Sequence, residues 1–214
     1  MIHFRPLFQI PSCLQHLYRK VLWRGDLSCR CVYLTFDDGP IPDVTPTVLD
    51  ILDQYRVKAT FFCVGDNVAR YPDLAREVLS RGHQIGNHTY HHLRGLQSTT
   101  STYVADTEQC ETTLQSVLHT PSSHLFRPPY GRTRYAQRRW LMSHGYQVVL
   151  WDVLTHDYNP SYTPADILSI VQRYTRNGSI IVFHDSIKAA DNMLSALPQV
   201  IEMLKKQGYE FRTL

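Results

Sequence analysis

Thr35-Phe36-Asp37-Asp38-Gly39-Pro40 follows the apolar run Cys31-Val32-Tyr33-Leu34 and ends it on two adjacent carboxylates. A short apolar run of this composition reads as a buried strand. Two acids at the end of such a strand are costly unless their charges are paired or bind a cation. Gly39-Pro40 turns the chain at once, so both carboxylates stand at the strand's exit. Alternation sends neighbouring side chains to opposite faces. At a strand end the turn relaxes that rule, and both acids can face one pocket. The competing reading spends one acid on capping the next helix and leaves the other to solvent.

Outward from this stretch, apolar strands alternate with amphipathic helices. Strands read over 31–36, 58–65, 83–86, 124–126, 146–151, 179–183 and 209–212. The first helix opens at Thr45 as N-cap, with Pro46 in the first turn. Further helices read over 72–81, 103–119, 134–144, from Thr163 towards Gly178, and over 193–207. This alternation predicts a parallel sheet, open or closed into a barrel. Residues 92–101 are polar and read as a connecting loop. Residues 1–30 stand apart from the main domain, 31–214. Within them Leu14, Leu17, Tyr18, Val21 and Leu22 recur at helical spacing over 12–23. That spacing predicts an N-terminal helical extension packed on the main domain.

A chain of 214 residues, 43% hydrophobic and 19% charged, suits one globular domain with a sizeable core. A net charge of +3, histidines counted neutral, gives no argument for nucleic acid or an anionic membrane as partner. No apolar run approaches membrane-spanning length. The N-terminus carries no signal-peptide pattern, so a cytoplasmic location is the default expectation, with cell envelope or secretion as the alternative. Five cysteines at irregular spacing, without a Cys-x-x-Cys pair, argue against a disulfide framework and a thiolate metal site. Cys29 and Cys31 read as small buried residues on one face of a strand.

The polar residues collect at the carboxyl ends of the strands, the edge where parallel α/β folds bind ligands. Asp37 and Asp38 follow the first strand, His88 and His92 the third, and Arg127 through Tyr130 the fourth. Asp152 and Asp157 follow the fifth, and His184 and Asp185 the sixth. His88 and His92 stand at i and i+4, so one helical turn lets both imidazoles reach a single ion. Asp38 is the natural third ligand. One divalent metal fits this set, zinc best, with cobalt, nickel or iron compatible. His91 points away. Asp37 then remains free as a general base for water whose pKa the cation lowers.

Arg127-Pro128-Pro129-Tyr130-Gly131 is a rigid turn lacking two backbone donors. The N–H of Tyr130 is the first available to a developing oxyanion. Arg127 would hold Asp37 ionised through a bidentate pair. His184 ends the strand over 179–183 and suits a general acid for a leaving amine. Asp157 would either raise the pKa of that imidazole or brace Arg127.

Thr35-Phe36-Asp37-Asp38-Gly39, His88-Thr89-Tyr90-His91-His92 and Arg127-Pro128-Pro129-Tyr130, with the looser Val182-Phe183-His184, resemble the ordered motifs of the polysaccharide deacetylases. This is the Nod-factor-deacetylase homology family, carbohydrate esterase family four, and the resemblance runs from about Cys31 to the end. It implies a distorted (β/α)7 barrel, one divalent metal, and hydrolysis of N-acetyl or sometimes O-acetyl groups on a glycan. By that analogy Asp37 is the base, Asp38, His88 and His92 bind metal, His184 is the acid, and Pro129, Tyr130 and Tyr158 contact substrate. The fourth motif departs from the family, which usually has Asp-Trp where this chain has Asp157-Tyr158. Tyr158 still offers an apolar wall beside an acetyl methyl. Trp140 and Trp151 offer further aromatic surface, with core packing as the preferred reading. Two other functions compete: an amide or imide hydrolase on a non-sugar substrate, and an inactive glycan-binding module. The first is expected to lose the metal triad and the second the base or acid, and this sequence keeps all of them.

Overall fold

Every residue of β1 (Cys31–Asp37) is buried, because the strand runs through the middle of a parallel sheet. The computed structural model describes residues 8, 9, 15, 20–121 and 123–214. After β1 come α1 (Thr45–Gln54), β2 (Thr60–Cys63), α2 (Gly65–Arg70), α3 (Pro72–Ser80), β3 (Gln84–Asn87) and α4 (Thr100–Leu118). There follow β4 (Leu125–Phe126), α5 (Tyr135–Ser143), β5 (Gln147–Val148) and β6 (Val153–Leu154). The chain ends with α6 (Pro164–Tyr174), β7 (Ser179–His184), α7 (Ala190–Lys206) and β8 (Glu210–Phe211). The sheet order is β5-β4-β3-β2-β1-β7-β6, with β8 beside the start of β1, and every strand pairing is parallel. The sheet curls into a distorted (β/α)7 barrel that stays open between β5 and β6.

Side-chain alternation divides β1 between two environments. Val32, Leu34 and Phe36 face the helices, where Phe36 stacks on Phe61 and Phe183 at 4.9 and 6.0 Å between ring centroids. Each such fully buried side chain contributes about 2 kcal/mol of transfer free energy. Cys31, Tyr33, Thr35 and Asp37 face the barrel interior, with Phe62 of β2 and Ile180 of β7. Asp37 is the register partner of His184 on β7. The fold therefore sets these two residues side by side at the same end of the barrel.

Three local expectations are corrected, and a fourth is tested only in part. The helix expected over 12–23 lies mostly outside the described residues; Gln15 is helical, and the described end from Leu22 is extended. Leu22 N donates to Val148 O and Leu150 N to Leu22 O, both at 2.8 Å, while Gln9 bridges Val153. The open seam of the barrel supplies these backbone partners. The strand expected over 146–151 is only β5 at 147–148, because residues 149–150 pair with that N-terminal segment, and β6 starts beyond it at Val153. Thr45 is not an N-cap: its hydroxyl accepts from Ile41 N and donates to Asp185 Oδ2 at 2.6 Å. Cys29 and Cys31 are joined as a disulfide where the chain bends into β1, with their Cα atoms 5.3 Å apart. Among the described residues no helix is long and apolar enough to cross a membrane.

Candidate active site

Asp37 faces the barrel interior by strand alternation, and Arg127 meets it there. Arg127 Nη1 donates to Asp37 Oδ1 at 2.6 Å and to Thr35 Oγ1 at 2.8 Å, and Nη2 donates to Leu150 O at 3.2 Å. The guanidinium is fully buried over the ring of Phe62, 4.1 Å from its centroid. Burial lowers its pKa, and the charge of Asp37 opposes that. The pair uses one prong and not the two expected, because the second nitrogen is committed to the Leu150 carbonyl.

Asp38 would continue the alternation to the outer face, but its φ of 84° turns the backbone and brings the carboxylate to the same cleft. Two neighbours hold that turn. Asn67 Nδ2 donates to Asp38 O at 2.8 Å, and Gly39 N donates to the buried Asp185 Oδ1 at 3.1 Å. A Cβ at Gly39 would lie 1.9 Å from Asp185 Oδ2, so this close approach requires glycine.

Asp38 Oδ1 lies 3.2 Å from His92 Nε2 and 3.8 Å from His88 Nε2. One donor atom from each of the three residues falls within 4.8 Å of the others. The segment bearing the histidines is not helical. Left-handed backbone at Thr89 and His92, φ 64° and 54°, folds it so that both imidazoles converge. Asp106 of α4 ties the loop down: its Oδ2 accepts from Tyr90 N and His91 N, and its Oδ1 meets His91 Nδ1 at 2.5 Å. His91 thus points away from the site, as read from the sequence.

The electrostatics suit a divalent cation. His88 Nδ1–H donates to Arg127 O at 2.6 Å, which leaves the Nε2 lone pair aimed at Asp38 and His92. Burial holds the His88 pKa at about 4, so this ligand is neutral at physiological pH. Burial raises the Asp38 carboxyl, but the His92 bond and the neighbouring imidazoles outweigh it and hold it well below the usual carboxylate range. One carboxylate and two imidazoles leave coordination positions open for water and substrate.

His184 stands opposite Arg127 across Asp37. Its Nδ1–H donates to Asp157 Oδ1 and its backbone N–H to Asp157 Oδ2, both at 2.7 Å. Burial lowers the imidazole's pKa, but the Asp157 charge and bond, with Asp38 and Asp37 behind them, lift it to about 9. Asp157 therefore serves His184 and not Arg127.

These groups floor a cleft of about 670 Å3 walled by Pro129, Tyr130, Trp151, Leu154 and Tyr158. Tyr130, φ 59°, sets a half-exposed ring 4.9 Å from that of His92. The Tyr158 ring stands edge-on to His184 at 4.9 Å. Trp151 packs against the interior cluster of Tyr33, Phe62 and Ile180 and also lies in this wall beside Gly131, so it serves both the core and the cleft. Trp140 stacks on His144 away from the cleft. Asp152 is not at this rim. It bonds Arg176 and Ser179, where β7 begins, at the opposite end of the sheet. The sequence reading overlooked Arg94, Leu96, Arg132 and Lys188, which also line the cleft, and the tethering role of Asp106. All five lie outside the matched motifs, in polar surroundings that carried no local signal.

Comparison with known proteins gives consistent matches. A family model described as polysaccharide deacetylase matches residues 24–149. A peptidoglycan-N-acetylglucosamine deacetylase of Bacillus cereus is 36% identical over 197 residues, covering 91% of both chains. A chitooligosaccharide deacetylase of Bradyrhizobium is 32% identical, covering 89% of this chain and 92% of that one. Among solved structures, a peptidoglycan N-acetylglucosamine deacetylase in complex with 4-naphthalen-1-yl-N-oxidanyl-benzamide superposes with a TM-score of 0.89 at 30% identity, covering 95% of each chain.

Proposed function

This chain belongs to the polysaccharide deacetylase family, and we propose that it hydrolyses the N-acetyl group of N-acetylglucosamine units in a glycan such as peptidoglycan or chitooligosaccharide. The observation that carries this reading is the cross-strand pair Asp37 and His184, a base and an acid in register beside the convergent Asp38, His88 and His92. Those three residues would hold one divalent cation, and zinc fits their donor set best. When bound, the cation supplies Lewis-acid polarisation of the acetyl carbonyl and acidifies the attacking water.

The chain's own groups do the rest. Asp37 accepts the proton of the attacking water, and Arg127 holds its carboxylate in place through Oδ1. The N–H of Tyr130, the first after two prolines, donates to the developing oxyanion. His184 gives its Nε2 proton to the departing amine, because its Nδ1–H is committed to Asp157. Tyr158, Trp151 and Leu154 close apolar surface around the acetyl methyl. The retained base, acid and donor triad argue against an inactive binding module.

The test is acetate release. Metal-loaded protein incubated with acetylated glycans should release acetate, and chelation should stop it. A protein carrying stoichiometric metal that frees no acetate from any N-acetylglucosamine glycan would overturn the reading.

A further inference from the structure

Gln137 is the third residue of α5, is fully buried, and takes no part in the chemistry proposed above. Its side-chain amide spends both ends. Oε1 accepts from Arg134 N at 2.8 Å, and Nε2 donates to Gly95 O at 2.9 Å and to Ser98 O at a longer 3.4 Å. An N–H on one side and carbonyls on the other leave a single orientation for the amide. One side chain thus joins the loop that follows β3 to the loop that follows β4. Residues 94–97 of the first loop and Pro129, Tyr130 and Arg132 of the second line the cleft.

The ligand loop is closed before this bank of the cleft begins. Leu93 N donates to Thr89 Oγ1 at 3.1 Å, and Asp106 holds Tyr90 N and His91 N. Beyond that closure residues 94–98 form one turn, with Gln97 N donating to Arg94 O at 2.9 Å and Ser98 N to Gly95 O at 3.3 Å. From outside, the turn is reached by Gln137 and by Arg134 Nη2, which donates to Leu96 O at 2.8 Å across exposed surface. The two loops also meet without spare room. A Cβ at Gly95 would lie 2.7 Å from Arg132 O and 2.9 Å from Gln137 Oε1, so the close approach of the second loop requires glycine here. A buried amide is costly unless its groups are paired, and every partner of this one belongs to a loop of the cleft or its margin.

We infer that Gln137 is a positioning residue for substrate binding: it holds the 94–97 bank against the turn that carries Tyr130, and so sets the affinity for the glycan without touching the reacting atoms. A bank already fixed in place costs nothing to order when the glycan arrives. A loosened bank has to be ordered by each substrate, and that loss falls on KM. Asp106 and Gln137 then divide the segment after β3, Asp106 holding the metal ligands and Gln137 the substrate wall. This inference rests on the deacetylase reading and deepens it.

Gln137 also caps α5, whose N-cap is Arg134, and the test separates the two roles. Gln137→Glu keeps an acceptor for Arg134 N but turns an oxygen towards the Gly95 and Ser98 carbonyls. Gln137→Met keeps the volume and loses every bond of the amide. With the N-acetylglucosamine tetramer, both variants should raise KM about three- to tenfold, with kcat falling less than about twofold and metal content unchanged. Amide hydrogen exchange should quicken at 94–98 and stay as in the unsubstituted protein at 88–92. A cap alone predicts another split, with Gln137→Glu like the unsubstituted protein and Gln137→Met less stable at an unmoved KM. Either result would overturn the inference, as would a loss confined to kcat or to metal. Should the buried substitutions fail to fold, Gly95→Ala pushes the two loops apart with Gln137 intact and should raise KM in the same way; an unmoved KM there refutes the positioning role equally. If the unsubstituted protein frees no acetate from any glycan, the deacetylase reading fails, and hydrogen exchange at 94–98 in the Gln137 or Gly95 variants still decides whether the amide holds the bank.

Discussion

Two aspartate–arginine pairs sit at opposite ends of one sheet and do different things. At the amino end, Asp152 spends both oxygens. Arg176 donates to Oδ1 and Oδ2 at 2.7 and 2.9 Å, Ser179 Oγ to Oδ2 at 2.7 Å and Gln9 Nε2 to Oδ1 at 3.3 Å. At the carboxyl end, Asp37 gives Oδ1 to Arg127, and among the described residues no bond claims Oδ2, which faces the cleft. Both aspartates are buried carboxylates next to apolar sequence. A carboxylate with no acceptor capacity left is a tie between elements, and one with an oxygen to spare beside a cleft can take a proton.

The most severe test of that contrast is a pair of substitutions of the same kind. Asp37→Asn should lower kcat by about 10²- to 10⁴-fold, the range of a lost general base, with metal content unchanged. Asp152→Asn should leave kcat within about twofold while costing about 1–3 kcal/mol, because an amide NH2 replaces one of the two acceptor oxygens and the charge that Arg176 pairs with is lost. Thermal unfolding would then shift down by several degrees. If Asp37→Asn keeps most of its turnover, or Asp152→Asn loses it without losing stability, the distinction between spent and unspent oxygens collapses. His88→Ala extends the test to the metal, since it removes a ligand whose second nitrogen is already fixed by Arg127 O. Metal analysis should find the variant largely empty, and full occupancy would exclude His88 as a ligand. Asp106→Ala should act more mildly, weakening metal affinity about 10- to 100-fold by loosening the loop that carries both histidines. Activity should return at high metal concentration, and a loss that metal cannot rescue would refute a positioning role.

The same contrast explains what the sequence could tell. Asp37, Asp38, His88, His92, Arg127 and His184 stand where apolar runs end, and the structure brings all six to one cleft. Asp152 carries the same signature, yet it belongs to the far end. The strand before it breaks after Val148, and its partners Arg176 and Ser179 are distant in sequence. The i, i+4 histidines fit a helix as well as a tight loop. The left-handed turns at Thr89 and His92 choose the loop, and Asp106 supports it from another element. Thr45 beside Pro46 looks like a cap, but Asp185, far along the chain, claims its hydroxyl. Spacing reports periodicity within a segment, and these outcomes were decided by partners outside it.

Asp157 is the case that sharpens the comparison, because it stands at the catalytic end with both oxygens spent, Oδ1 on His184 Nδ1–H and Oδ2 on His184 N. By the rule above it positions His184 and exchanges no proton with substrate. Burial alone would lower the His184 pKa, and Asp157 is the largest influence raising it towards about 9. The acid form of His184 is therefore present at neutral pH and is lost as pH rises, which sets an alkaline limb on kcat. A cation on Asp38 cancels part of the negative field, so the limb of the loaded enzyme should lie below about 9. In Asp157→Asn burial prevails, the limb moves to lower pH, and activity at pH 6 suffers less than activity at pH 8. The sign also carries to stability. Protonated His184 stabilises the fold fully below its ordinary value of 6.5, and that contribution fades as pH rises through about 9. The Asp157→Asn protein should lose that pH-dependent stability along with its limb. A uniform fall in kcat at every pH, with the limb unmoved, would make Asp157 a reacting group and break the rule that separates it from Asp37.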